Sequence, residues 1–282
     1  MKKGNAVYIW TKANIFDDSE FVEICKQSDI SNVFLSAYNT KKTPEAKKEF
    51  SEFNMLCNVN GLDTYAMAST NEFALNHRIA LEYIDDIVAF NDSVGEHQRF
   101  KGVHFDVEPY CLPQYKEEKT TTDETKKNRL RVLESYLEMT IQCCEKAKEN
   151  GLEFGLSIPY WFKLRYKDIL LNLGGRKKLL YNLIYNSNHI SIMAYRDKPE
   201  HVVEAVADEI RDTEKANIKT NSFNFSNQAL RKVFVAVNDL SMMPIITECM
   251  DFLYKDFSSY AGIAIHPYRG LRDVVKKREN KK

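Results

Sequence analysis

Eight apolar runs of strand length recur along this chain, and each is followed by a stretch in which apolar residues return every three or four positions. The runs are Ala6–Trp10, Asn32–Ala37, Asp63–Ala68, Gly102–Glu108, Glu153–Ile158, His189–Ala194, Val233–Val237 and Gly262–His266. Between them, series such as Ile79, Tyr83, Ile84, Ile87, Val88 or Leu130, Leu133, Leu137, Ile141, Cys144 lay one apolar stripe along a helix. Strict alternation predicts a parallel sheet, because two strands joined by a crossover helix run the same way. Eight such units in roughly the ~250 residues typical of the architecture predict a closed (β/α)8 TIM barrel rather than an open doubly wound sheet. No GxGxxG or GxxxxGK[ST] follows the first run, so the usual mark of a nucleotide-binding open sheet is missing.

Local signals place the helices. Asp17 with Asp18, Thr43 with Pro44, Thr122 with Asp123, and Asp197 with Pro199 read as helix starts, while Gly61 and Gly151 sit where a helix ends before the next strand. There is no linker, low-complexity tract or short-period repeat, so residues 1–282 are expected to form one domain. The longest connection, Cys111–Thr125, is rich in Lys, Glu and Thr; it is too hydrophilic for a core and is placed to act as a flap.

The chemistry is most legible in Lys101-Gly102-Val103-His104-Phe105-Asp106-Val107-Glu108-Pro109-Tyr110. Positions i and i+2 of a strand share a face, so His104, Asp106 and Glu108 form one inward file, and Val103, Phe105 and Val107 enter an outer apolar layer. Pro109 keeps Glu108 out of the helical region. Neighbouring acids rarely share one pKa, and a raised one can donate a proton near neutrality, as a glycosidic-bond acid does. The plainer reading is that the two carboxylates are buried partners of a Lys or Arg.

In barrels of this kind chemistry sits where the strands end. Those positions hold Trp10, Ser36, Tyr38, Ser69, Asp106, Glu108, Tyr160, Trp161, Tyr195, Arg196, Asn238, Asp239, His266 and Tyr268, with Tyr110 beside the acids. Aromatic faces stack on sugar rings while Asn, Asp and Arg bond the hydroxyls, so the rim suits a carbohydrate, although each aromatic singly is equally at home in packing. Expected substrate-binding residues are therefore Trp10, Tyr38, His104, Tyr110, Tyr160, Trp161, Arg196, Asn238, His266 and Tyr268.

Composition narrows the partners. Lys plus Arg and Asp plus Glu each number 40, so no global field draws the chain to nucleic acid or to an anionic membrane, and no run reaches transmembrane length. Six cysteines show no ligand spacing and read as free thiols of a reducing compartment. With no signal-peptide pattern after Met1-Lys2-Lys3, a cytoplasmic location is expected, or secretion if an export signal was trimmed. No cofactor and no metal are expected.

Lys101–Glu108 resembles the fourth-strand signature of glycoside hydrolase family 18, DGxDxDxE, at Gly102, Asp106 and Glu108. His189-Ile190-Ser191-Ile192-Met193-Ala194-Tyr195 is similar to that family's sixth strand, which ends Met-x-Tyr-Asp, and Phe154–Pro159 to its fifth. The resemblance implies that Glu108 protonates the leaving oxygen, that Asp106 orients and stabilises a 2-acetamido group, and that Tyr195 bonds the amide carbonyl as it attacks the anomeric carbon. No protein nucleophile is then needed. His104 stands where the family has an inner Asp, and Arg196 where it has the Asp after the tyrosine. His104 is expected to hydrogen-bond Asp106, completing a stack with Glu108, and as imidazolium it would depress the Asp106 pKa. These departures point to a remote branch with a charged substrate or to a barrel of other purpose. Two further readings stand beside this one: a metal-dependent hydrolase or phosphodiesterase whose His104, Asp106, Glu108 and His266 converge on a divalent ion, and a sugar-binding barrel without catalysis.

Overall fold

The computed structural model describes residues 3–10, 20–37, 43–115, 123–162, 179–222 and 231–280. Eight parallel strands close into a barrel in chain order. They are β1 (Asn5–Ile9), β2 (Ile30–Ser36), β3 (Asp63–Ala68), β4 (Gly102–Phe105), β5 (Glu153–Pro159), β6 (His189–Met193), β7 (Lys232–Val237) and β8 (Tyr260–Ile265). Among the described residues an α-helix follows each strand: α1 (Phe21–Gln27), α2 (Pro44–Val59), α3 (His77–Asp92), α4 (Asp123–Glu149), α5 (Leu179–Tyr185), α6 (Pro199–Ser222), α7 (Met243–Tyr254) and α8 (Tyr268–Glu279). None of the described helices is long and apolar enough to cross a membrane.

The end signals act as their chemistry requires. Thr43 Oγ1 accepts the Ala46 N–H at 3.1 Å, with Pro44 opening α2, a cap worth about 1 kcal/mol. Gly61 and Gly151 follow α2 and α4 with φ of +81° and +70°, the left-handed region in which a β-carbon would be strained. The starts expected at Asp17 and Asp18, and the body of the flap expected over 111–125, lie outside the described residues, apart from Cys111–Tyr115 and the first turn of α4.

Alternation of side chains separates two cores. Facing outward, Phe105 packs on Tyr83 of α3 at 5.8 Å and on Phe73 at 5.1 Å. Facing inward, Tyr8, Phe34 and Tyr65 from the first three strands fill the space left by Ala6, Ala236 and Ala264, large groups against small ones as barrel interiors demand. Strand pairing sets His104, Gly155 and His189 in one inward row, with His104 opposite Gly155 and Gly155 opposite His189. The middle position carries no side chain, and the His189 ring occupies its place.

The fourth strand is shorter than its sequence suggests. Regular pairing stops at Phe105; Asp106 N–H still reaches Ala68 O at 2.8 Å, but Glu108 N–H turns to Asn71 Oδ1 at 2.7 Å, and a single 3₁₀ turn begins at Pro109. Glu108 adopts φ −106° and ψ 80°, outside the helical region as a following proline requires.

Gly155→Ala tests the row. A β-carbon at 155 would run into the His189 imidazole, which is fully buried and has no room to retreat. We expect a loss of about 1–3 kcal/mol in urea unfolding; unchanged stability would mean that the row repacks freely.

Candidate active site

Asp106 and Glu108 leave the end of β4 into the barrel mouth, and their surroundings differ. Asp106 is 8 % exposed, its Oδ2 accepts from Ser69 Oγ at 3.4 Å, and its Oδ1 has no hydrogen-bond partner. Burial, then the Glu108 charge, push its carboxyl up to about 6, while the Ser69 and Ser157 hydroxyls pull against them. Glu108 is half-buried and held from one side: the Cys111 thiol donates to Oε2 at 3.3 Å, and the Tyr110 hydroxyl bonds the same carboxylate. Burial and Glu108 in turn push the Cys111 thiol up to about 11, so it stays a protonated donor.

Tyr195 follows β6 and is half-buried. Burial and then the charges of Asp106 and Glu108 raise its phenol well above the ordinary tyrosine range, so it remains a donor and lies within the field of both acids. Across the mouth, Trp10 Nε1–H donates to His266 Nε2 at 2.6 Å, which makes that nitrogen the acceptor of a neutral imidazole. Burial lowers the His266 pKa and favours the same state. Tyr8 lies parallel to Trp10 at 6.1 Å, and Tyr195 tilts against His266 at 5.9 Å, so β1, β6 and β8 together lay an aromatic floor.

A second aromatic group stands on the β4 and β5 side. Tyr110 meets Trp161 edge-on at 4.7 Å, next to the Tyr110 bond to Glu108. Arg196 donates to Tyr160 Oη at 2.8 Å and lies 5.0 Å above that ring, which puts a half-buried guanidinium on the rim.

Two expected residues, His104 and Tyr268, are placed elsewhere. His104 is completely buried and does not touch Asp106: its Nδ1 faces His189 Nε2 at 3.0 Å, and its Nε2 faces Ser157 Oγ at 2.9 Å and Tyr8 Oη at 3.4 Å. The expected stack of His104, Asp106 and Glu108 is therefore replaced by sideways bonds, and His104 is not open to a substrate. Nor is it an imidazolium, since burial pulls it down to about 3. Tyr268 is also absent from the rim; it belongs to α8, is 4 % exposed and packs on Phe21 at 5.1 Å, because the chain has already turned into the helix. Asn238 is exposed just past the end of β7, the position expected of it, and Tyr38 lies outside the described residues. The residue types proposed for a metal do not converge: His104 faces His189, His266 Nε2 is taken by Trp10, and among the described residues no three His, Cys, Asp or Glu side chains gather as a metal would require.

Sequence reasoning missed Tyr8, Ser157, His189 and Asn71. One signal was available for three of them. Tyr8 precedes Trp10 by two positions, Ser157 follows Gly155 by two, and His189, Ser191 and Tyr195 share one inward file, all polar or ring-bearing residues on the inner face of otherwise apolar strands.

No family model and no curated protein sequence matches this chain. Solved structures do share its fold. A GH18 chitinase from Pseudoalteromonas aurantia is similar over 97 % of this chain and 99 % of its own, at a TM-score of 0.52 and 8 % identity. A β-glucosidase designated 1317 matches over 91 % of this chain and 77 % of its own, at a TM-score of 0.50 and 11 % identity. A family 1 β-glucosidase from Thermotoga maritima matches over 88 % and 76 %, at 0.50 and 10 %. The likeness at these identities is one of fold.

Asp106→Asn tests the electrostatics without a substrate. The folded carboxyl is raised from 3.8 to about 6, so between these values the folded chain keeps a proton that the unfolded chain has lost, and stability falls as pH rises through the window. Above it the ionised group costs about 3 kcal/mol. We expect Asp106→Asn to be about 1–3 kcal/mol more stable than the parent at pH 8, the gap closing below about pH 4. Equal stability at pH 8 would contradict a raised carboxyl.

Proposed function

We propose that this barrel hydrolyses a glycosidic bond on the reducing side of an N-acetylated sugar, with Glu108 as general acid and the substrate's own acetamido oxygen as nucleophile. The observation that carries the reading is Asp106: a buried carboxyl whose Oδ1 has no partner, beside a second carboxylate and a protonated phenol at the mouth of a barrel. A buried acceptor left open in a site is matched by a ligand donor, and an acetamido N–H is such a donor.

The reaction balances in two steps. The acetamido oxygen attacks the anomeric carbon as the glycosidic bond breaks, and Glu108, which must first take up a proton, gives that proton to the departing oxygen. Asp106 accepts the amide N–H and stabilises the positive charge that develops on that nitrogen; Tyr195 donates to the acetamido oxygen and holds it in line. Water then opens the cyclised intermediate, giving its proton to Glu108 and restoring the acid. Trp10, His266 and Tyr195 offer the surface against which the ring would lie, with Trp161 and Tyr110 flanking the leaving side. The resemblance at strands four and six and the fold shared with a GH18 chitinase support this substrate class.

Oligomers of N-acetylglucosamine carrying a chromogenic leaving group, compared with de-N-acetylated ones, test it. Cleavage is expected only of the acetylated series. Glu108→Gln should lose about 10²–10⁴-fold in kcat with binding largely kept, since general acid catalysis is worth about that much. The kcat/KM should also fall as pH drops through about 6, where Asp106 takes a proton and ceases to accept charge. Wild-type turnover by Glu108→Gln would remove the general-acid role; cleavage indifferent to acetylation would remove the substrate-assisted route.

A further inference from the structure

Beneath the mouth lies a column of buried polar groups that the proposed reaction does not use. Tyr8 Oη is 2.9 Å from Ser157 Oγ, Ser157 Oγ is 2.9 Å from His104 Nε2, and His104 Nδ1 is 3.0 Å from His189 Nε2. These side chains come from β1, β5, β4 and β6, and both imidazoles lie parallel to Phe34, at 4.0 Å and 5.5 Å. Burial holds each imidazole neutral, so each ring carries one N–H.

That single N–H gives two ways to proton the column. If the proton between the rings is on His104 Nδ1, then His104 Nε2 must accept from Ser157, and His189 must carry its own proton on Nδ1. That nitrogen is buried and has no partner, so a donor would be stranded. If the proton is on His189 Nε2, His104 carries its own on Nε2 and donates to Ser157, and His189 Nδ1 is left as a bare lone pair. Buried N–H groups without partners are rarer than unpartnered acceptors, and leaving one unmade costs more. With His104 donating to one lone pair and Tyr8, in the sense that leaves the Ser157 proton free, donating to the other, that proton can turn to Asp106, which stands one step beyond the Phe105–Leu156 pair on β4 as Ser157 does on β5.

The geometry points to His104 and His189 as positioning residues, both fixed as the Nε2–H tautomer in a one-way chain of donors that ends with the Ser157 hydroxyl on the Asp106 carboxylate. The chain is a property of the resting site and does not depend on the reaction proposed above. The stabilising pull of Ser157 on the Asp106 anion is in the sense the chain requires.

Other groups around the two ends are accounted for. Facing Asp106 are Ser69 after β3, Tyr8 of β1, Tyr195 after β6, Tyr136 of α4, and Glu108, Tyr110 and Cys111 of its own segment. His266 of the β8 end reaches Tyr8 and Tyr195. Around the imidazoles, Phe34 of β2 and Phe234 of β7 bear no charge, Tyr65 of β3 donates to Glu153 of β5, and Lys232, level with His189, turns its ammonium to Ser258 O. None of these supplies His189 Nδ1 with an acceptor.

Long-range 1H–15N correlation spectra of the full chain labelled with 15N-histidine at pH 8 read the tautomers directly, with His104→Phe used to assign the signals. Both buried rings are expected as neutral Nε2–H; an Nδ1–H ring or an imidazolium at either position overturns the chain. The Asp106 13Cγ titration reads its far end. His104→Phe keeps the ring stacked on Phe34 but removes both nitrogens, and should raise the Asp106 midpoint by about one unit, a tenfold gain in proton affinity. His104→Gln, whose amide can donate to Ser157, should move the midpoint back toward the parent value. Should His104→Phe not fold, Ser157→Ala removes the last donor and carries the same expectation. An unchanged midpoint in either folded variant shows that the column does not act on Asp106.

Discussion

Everything above the middle of this barrel rests on one missing side chain. Gly155 stands between His104 and His189 in the inward row, and only because it has no β-carbon can the His189 ring reach across β5 to His104. That contact joins β4 to β6 through side chains as well as through backbone pairing. It also sets the height of the next inward residue on β5, Ser157, and so what lies below Asp106. Parallel strands have no tight turn to fix their relative position; register depends on interior packing, and here a polar contact contributes to it.

The mouth shows how the protein keeps two acids side by side, with hydroxyl, phenol and thiol donors as their partners among the described residues. Asp106 is buried and poorly partnered, Glu108 half-exposed and held by Tyr110 and Cys111. The cost of burial falls on one carboxyl, which responds by moving up to about 6. A fold optimised for stability alone would pair or remove it, since perturbed acids in clefts are where stability is given up for chemistry. The packed cores around it, Phe105 against Tyr83 outside and Phe34 against the imidazoles inside, supply the surplus that tolerates it.

How much of this was legible in the sequence follows from which forces act along the chain and which act across it. The eight strands and the Thr43 and Gly61 signals are local, and they fall within a few residues of where periodicity put them. The stack expected of His104, Asp106 and Glu108 failed for a geometric reason: i and i+2 on a strand are about 6.6 Å apart, whereas neighbouring strands are about 4.8 Å apart. A buried imidazole therefore finds its partners sideways, and His189, Ser157 and Tyr8 lie 85, 53 and 96 positions away in the chain. Tyr268 failed by length: β8 ends at Ile265, and three residues later the chain is helix, so its ring turns to Phe21 rather than to the mouth.

Two positions at which the chain differs from the strand signature it resembles are of different kinds. Arg196 lies at the rim, its guanidinium anchored on Tyr160. His104 is a change in the support of the acids. An aspartate at that depth would set a third carboxyl below Asp106 in a low-dielectric interior, and like charges there raise one another's pKa or must share a proton. A neutral imidazole brings polarity without charge, so burial and Glu108 raise Asp106 while the Ser69 and Ser157 hydroxyls pull it down, and the interior needs no proton beyond those its tautomers already carry. An imidazole at this depth thus sets a fixed dipole where a carboxylate would titrate, which leaves the charge state of the mouth to Asp106 and Glu108.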